Sequence, residues 1–532
     1  MKKLTVLTLA ALGVAPSVLL AADWPQWGGT AQKNMISKEI GLPTEFAAGE
    51  GATVEEMAAA GKNLKWVGKL GSQTYGTPTI AAGRVLVGTN NNEPRNAKVV
   101  GDRGVVMSFD EKTGGFQWQL TTPKLGAGKV SDWEFLGICS SVTIDAAAGV
   151  GYVVTNRGEV LALDLDGLAD GNDGPYQEEA KYQAGGLDGV GNGKETEAGP
   201  QDADIIWGFD MRGELGVFPH NVTSSSVVMD EKNLYVTTSN GVDWSHLNIP
   251  APLAPCMVAI DKATGKLVGE EGAGIGERVM HCNWSSPTYA EHNGKRMVIF
   301  GAGDGFIYGF NPETVKDPEG FDVLQEIFRY DGNKKEYRFN ESGEPIKYAT
   351  YPGPSEYISS AVYHDGKIFA SIGQDPEHGE GVGLLSCISA DAKGESAAPA
   401  GAIWTYDGIK RTISTPSVTD DGLVFIADYS GVLHCVDAKT GKLHWIHDTL
   451  SHIWGSTLVV DGRVYLGTED GELIIMKASV DADADKDGKV KANEILATVE
   501  FPDPIYSSPV AANGTLYVTT QTHLYAFANK AN

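Results

Sequence analysis

One short block recurs eight times along this chain, and that repetition constrains the fold more than any other feature. A Ser, Thr or Gly pair, often before Pro, opens a β-type run, a turn and a second β run. The block stands at Gly76-Thr77-Pro78, Ser140-Ser141-Val142, Ser224-Ser225-Ser226 and Ser285-Ser286-Pro287. It returns at Ser359-Ser360-Ala361, Ser414-Thr415-Pro416, Gly455-Ser456-Thr457 and Ser507-Ser508-Pro509. Asp365-Gly366, Asp421-Gly422, Asp461-Gly462 and Asn513-Gly514 separate the two runs. Such pairs favour two-residue hairpins because both positions tolerate positive φ. A third run follows, then an Asp-x-x-Thr-Gly turn (at Asp110, Asp261 and Asp437), then a fourth run carrying Trp118, Trp207, Trp404 or Trp445. Four antiparallel strands in each of eight repeats predict an all-β chain, an eight-bladed β-propeller. The last repeat has three strands, ending at Leu524-Tyr525-Ala526-Phe527, while Asn63-Leu64-Lys65-Trp66-Val67 is an orphan near the start. Pairing this N-terminal strand with the last blade closes the ring and removes an exposed edge.

The chain divides accordingly. Lys2 and Lys3, an apolar run from Leu4 to Leu20 and then Ala21-Ala22 read as a signal peptide over residues 1–22. Residues 23–61 are expected to be an extension packing on the propeller, and 62–532 the propeller itself, with an insertion at 165–204. No Cys follows the apolar run, so a lipid anchor is not expected, and the location is periplasmic or secreted. A formal charge of -27 argues against nucleic acid as a partner, because phosphate binding needs a basic face. Five Cys in 532 residues make no disulfide scaffold, and an odd count leaves at least one thiol unpaired. A monomer without membrane insertion is expected.

The Asp-x-x-Thr-Gly-x-x-x-Trp repeats resemble the blades of PQQ (pyrroloquinoline quinone)-type propellers. These include quinoprotein alcohol dehydrogenases and the propeller lipoprotein of outer-membrane β-barrel assembly. The chain beyond its leader is similar to exported bacterial PQQ-binding-like β-propeller repeat proteins. The stretches that carry this are Asp23 to Gly29, Leu168 to Pro175, Gly216 to Asn221 and Gly373 to Gly381. The resemblance implies the fold, but fold does not fix activity. Three functions follow as expectations: a binding protein for a small molecule, glycan or envelope protein; an oxidoreductase using PQQ or a related cofactor; and an envelope assembly scaffold. A polysaccharide hydrolase or lyase is a fourth. Quinoprotein dehydrogenases set PQQ over the channel mouth with a Ca²⁺ and an Asp base, and many add a disulfide between adjacent cysteines. No two Cys are adjacent here, and the Ca²⁺-ligating trio is not matched, so PQQ is the lesser expectation.

Because strands alternate in direction, the entry to each innermost strand shares a face, the mouth, with the loop between the second and third strands. Counting six residues back from the third position of each block gives His220, His281 and Lys410. Five back gives Gln73, Asn221, Cys282, Glu356, Arg411 and His452, and three back gives Trp284 and Trp454. The loops on this face add Arg95, Arg103, Asp243, His246, Asp375, His378 and Glu380. Such a ring is rich in groups that bind anions, transfer protons or ligate metal, and its Trp rings can stack on a flat ligand. On the opposite face, residues 483–494 match an EF-hand loop. Asp483, Asp485 and Asp487 stand at positions 1, 3 and 5, Gly488 at 6, the Lys489 carbonyl at 7 and Glu494 at 12. A structural Ca²⁺ is expected there, although Lys491 takes position 9, where a small polar residue is usual.

Overall fold

The computed structural model describes residues 22–125, 132–191, 193–378 and 380–529. The expected leader lies outside the described residues except for Ala22. Each repeat block leads into the innermost strand of a four-stranded antiparallel blade. Blade 1 runs Thr79–Ala81, Arg84–Asn90, Arg103–Asp110 and Phe116–Pro123. Blades 2 to 7 begin at Thr143–Asp145, Val228–Met229, Thr288–His292, Val362–His364, Ser417–Val418 and Leu458–Val460. Blade 8 has Val510–Ala512, Thr515–Thr519 and His523–Phe527, and takes Leu64–Lys69 as its fourth strand. Val67 pairs with Tyr525 and Gly68 with Leu524. The eight-bladed ring and its closure are those the repeat predicts.

Two devices lock neighbouring blades. The first explains the Asp-x-x-Thr-Gly…Trp pattern. Asp437 Oδ1 accepts bonds from the Thr440 N–H and hydroxyl, tightening a turn that ends at Gly441 with φ +72°. Trp404 of the preceding blade lies on that glycine, where a Cβ would fall 2.5 Å from its ring, and donates its indole N–H to Ala438 O at 3.1 Å. Trp207 sits on Gly265 and Trp66 on Gly114 in the same way, each donating to the turn, at Lys262 O and Glu111 O. The second device is a collar of hydroxyls around the channel. Backbone N–H groups of Ser141, Ser226, Ser360, Thr415, Ser456 and Ser508 donate to Ser226, Ser286, Thr415, Ser456, Ser508 and Thr77 hydroxyls of the next blade, at 2.8–3.2 Å.

This collar corrects one register. In blade 3 the hydroxyl equivalent to Ser286 is Ser226, so the block is Ser225-Ser226-Val227 and not Ser224-Ser225-Ser226. Asn221, not His220, is therefore the positional counterpart of His281.

Blades 3 and 4 are merged. Their outer strands, Leu267–Glu271 and Asp322–Asp331, pair in parallel at Glu270–Val323 and Glu271–Leu324. Gly394–Ala397 adds a further strand beside Asp322–Asp331. The insertion after Asp164 carries a helix, Glu179–Gly185, whose Tyr182 is buried between blades 1 and 2. Arg157, wholly buried, pairs with Glu159 at 3.0 Å and with Asp188 of the insertion at 2.5 Å.

The N-terminal segment closes the far end of the channel. It bonds in turn to innermost strands of seven blades, through Ile80, Ile144, Tyr289, Tyr363, Val418, Val459 and Ala511. Trp27 enters the channel beneath the collar and donates to Ser360 Oγ at 3.1 Å. The channel is therefore a well with one opening.

Candidate functional site

The well opens into a cavity of about 590 Å³ at the mouth. Its wall comes from the residue two before each collar hydroxyl, where the chain turns inward to start a blade. Tyr75, Trp284, Trp454 and Tyr506 supply rings, and Cys139, Ser224, Ile358 and Ile413 the rest. Tyr75 and Tyr506 stack at 5.0 Å, and Trp454 lies 5.1 Å from Tyr506 and 5.4 Å edge-on to Tyr429. Glu469 fixes Trp454 by accepting its indole N–H at 3.0 Å. Above this wall stand Gln73, Glu134, Asn221, Asp375 and Glu377.

A second feature adjoins the cavity across blades 3, 4 and 5. His220 and His281 precede innermost strands. His246 and His378 come from second-to-third strand loops, which fold inward over them. The rings of His220 and His281 are 4.4 Å apart, His220 and His246 5.0 Å, His246 and His378 4.6 Å, and His281 and His378 4.8 Å. Hydrogen bonds orient the cluster. His220 Nδ1 donates to Val242 O at 2.7 Å, and His378 Nδ1 to Asp375 Oδ2 at 2.6 Å. Tyr348 stacks on His281 at 5.3 Å, and its hydroxyl reaches Glu356 and Asp375, each at 3.2 Å. Asp243, bonded to Ser245 and Asn248, shapes the turn that presents His246.

Electrostatics divide the cluster. Burial lowers His220 to about 3 and His281 to about 4, and also lowers His246, so these three are neutral near pH 7. The hydrogen bond to Asp375 raises His378. Burial works against the Asp375 charge, yet His378 and His281 hold its carboxyl below the usual carboxylate range. Burial, with the Asp375 charge beside it, pushes the Glu356 carboxyl well above the ordinary carboxylate value.

Of the expected residues, Gln73, Asn221, Trp284 and Trp454 line the mouth cavity, and His220, His281, Glu356 and His378 meet in or beside the histidine cluster. Arg411 stands at the rim, its guanidinium 4.8 Å from the Tyr429 ring centre and donating to Asp375 O. Five others point elsewhere. Cys282 is buried, its thiol donating to Ser239 O at 3.2 Å. Lys410 is exposed outside the cavity. Arg95 packs over Phe116 and Arg103 donates to Gln183 O, both away from the mouth. His452 stacks on the outer side of Tyr429 at 4.5 Å. Tyr75 and Tyr506 were not singled out from sequence, although they hold the same three-back position as the two tryptophans. Tyr348 lies in an irregular segment where no repeat register applies.

In the 483–494 loop, Asp483, Asp485 and Glu494 offer oxygens within 4.8 Å of one another. Asp483 accepts the Gly488 N–H at 2.7 Å, and Glu494 accepts the Ala484 and Lys491 N–H groups. Lys491 brings its own ammonium onto Asp485 and onto Asp487 at 2.8 Å. Lys489 joins the loop to blade 6 by pairing with Ile446.

Comparison with known proteins agrees with this architecture. The family model described as outer membrane protein assembly factor BamB matches residues 43–172 and 396–490. BamB from Moraxella catarrhalis superposes with a TM-score of 0.50 at 13% identity, over 87% of this chain and 98% of that one. The chain has a β-propeller fold with PQQ-like repeats over the matched residues. The quinohemoprotein alcohol dehydrogenase ADHIIG from Pseudomonas putida HK5 gives a TM-score of 0.54 at 13% identity, over 95% of this propeller and 80% of that chain. No curated protein matches in sequence. The mouth of this propeller does not fit PQQ. A tricarboxylate would meet Glu134, Asp375 and Glu377 lining the cavity, with the guanidinium of Arg411 at the rim.

Proposed function

We propose that this propeller is an exported binding protein whose mouth takes one small organic molecule, flat on one face and neutral or cationic. The observation that carries this reading is the aromatic wall of Tyr75, Tyr506, Trp454 and Trp284 around a well closed beneath by Trp27. A closed well with converging rings suits binding and not passage. Aromatic faces attract organic cations and the C–H faces of sugar rings. The carboxylates of Glu134 and Glu377 at the rim favour the cation, as does a formal charge of -27. Export rests on the Lys2 to Ala22 pattern. We read the 483–494 loop as a structural calcium site, supported by the order of its carboxylates, in which Lys491 competes with the ion.

The test is a fluorescence titration of the purified chain with small quaternary ammonium compounds and, separately, with hexoses. A saturable change in tryptophan emission with the ammonium series, lost in Trp454→Ala while the circular dichroism is unchanged, is the expected result. Wild-type response in a Trp284→Ala, Trp454→Ala double variant would sink the proposal, as would silence toward both ligand classes.

A further inference from the structure

We propose that His220, His246, His281 and His378 form a binding site for one divalent first-row transition-metal ion at the rim of the mouth, with Asp375 orienting His378. This goes beyond the mouth-ligand reading and does not depend on it.

Three observations carry the inference. The first is convergence: His220, His246 and His281 bring one ligand atom each within 4.8 Å of one another, and His281, Asp375 and His378 do the same. Three histidines from three separate loops therefore meet around His281, together with one carboxylate.

The second is unused lone pairs. His220 and His281 are 1% and 0% exposed. A backbone carbonyl can only accept, so His220 Nδ1, 2.7 Å from Val242 O, carries the proton. Its Nε2 is then a bare acceptor, and it has no hydrogen-bond partner. Neither ring nitrogen of His281 makes an aligned hydrogen bond, although Asp375 Oδ2 is 3.2 Å from Nδ1. Buried polar atoms are nearly always satisfied, and an exception calls for an ion or water. A water would satisfy one such nitrogen, but a cation satisfies several at once.

The third is the support around the rings. Metal-binding histidines are oriented by a carbonyl or carboxylate on their other nitrogen, and His220 and His378 each have that partner. A cleft of about 390 Å³ lined by His220, His246 and His378 gives an ion access from solvent. Imidazole nitrogens with one carboxylate nearby suit Zn²⁺, Cu²⁺ or Ni²⁺, whereas Ca²⁺ and Mg²⁺ prefer oxygen.

The experiment uses the untagged full-length mature protein, stripped with EDTA and titrated with Cu²⁺ alone and with Zn²⁺ alone. Bound metal is counted after gel filtration, and Cu²⁺ is followed by electron paramagnetic resonance. The expected result is one equivalent per chain with nitrogen hyperfine structure. Asp375→Asn should weaken binding about 10- to 100-fold. His246 is exposed, so His246→Gln tests the site without threatening the fold, and a loss of at least about tenfold is expected. Asp485→Ala should leave transition-metal binding unchanged. Less than half an equivalent bound would overturn the proposal. So would unchanged stoichiometry and spectrum in a His246→Gln, His378→Gln double variant, or loss of the ion in Asp485→Ala.

Discussion

At the scale of single residues, Glu271 shows how a buried charge makes stability depend on pH. Its carboxylate accepts the Ala273 and Ile275 N–H groups at 2.7 and 3.1 Å, where blades 3 and 4 merge. Burial nevertheless raises the carboxyl to about 7, from an ordinary value of 4.5. A folded-state value above the unfolded one means the folded chain holds its proton more tightly. The resulting stability is complete below about pH 4.5 and is lost as pH rises through 7. Between pH 5 and pH 8 this group should remove roughly 3 kcal/mol. Urea melts of Glu271→Gln at the two pH values check it. The variant should be less stable than wild type at pH 5, having lost one acceptor, and more stable at pH 8. The same difference between the proteins at both pH values would refute the assignment.

At the scale of elements, the tryptophan-on-glycine contact is the seam between blades. Gly441→Ala would force a Cβ onto Trp404 and strain a positive φ, at a cost of roughly 2–4 kcal/mol. Thermal unfolding measures it, and Gly462→Ala, where nothing lies within 4 Å, controls for the backbone strain alone. In the 483–494 loop, Lys491→Ser should raise Ca²⁺ affinity about tenfold by removing an ammonium that neutralises two ligands. Isothermal titration of both proteins decides; equal affinities would show that Lys491 does not compete. These elements were legible because turn chemistry is local: Asp, Thr, Gly and Trp stand within nine residues of one another. The slip at Ser224 to Ser226 has the opposite cause. Three consecutive serines carry no local mark of which hydroxyl faces the next blade. The path of residues 22–42 was equally illegible, since Asn34 bonds Val418 far along the chain and no periodicity announces it. The histidine cluster was half legible. His281 fell to the register count and His220 only to the slipped one, and their meeting with His246 and His378 depends on how two long loops fold.

At the scale of the whole molecule, the ring is held shut by one strand. Leu64, Trp66 and Val67 are buried against blade 8 and its neighbours. Deleting residues 62–68 removes these three side chains, worth roughly 5 kcal/mol together, and leaves the His523–Phe527 edge unpaired. The deleted protein should unfold at a lower urea concentration and self-associate in gel filtration. A wild-type midpoint with a monomeric profile would show that the closure contributes nothing. The same closure sets an order in time. Leu64–Lys69 is synthesised before every blade strand it does not pair with, and its partner at His523–Phe527 after them. No early blade can complete the circle, so closure must await His523–Phe527. Pairing across such a sequence distance is slow even where its entropic cost is modest. A ring whose first and last strands must meet stays open, and its chain threadable, until both have been made.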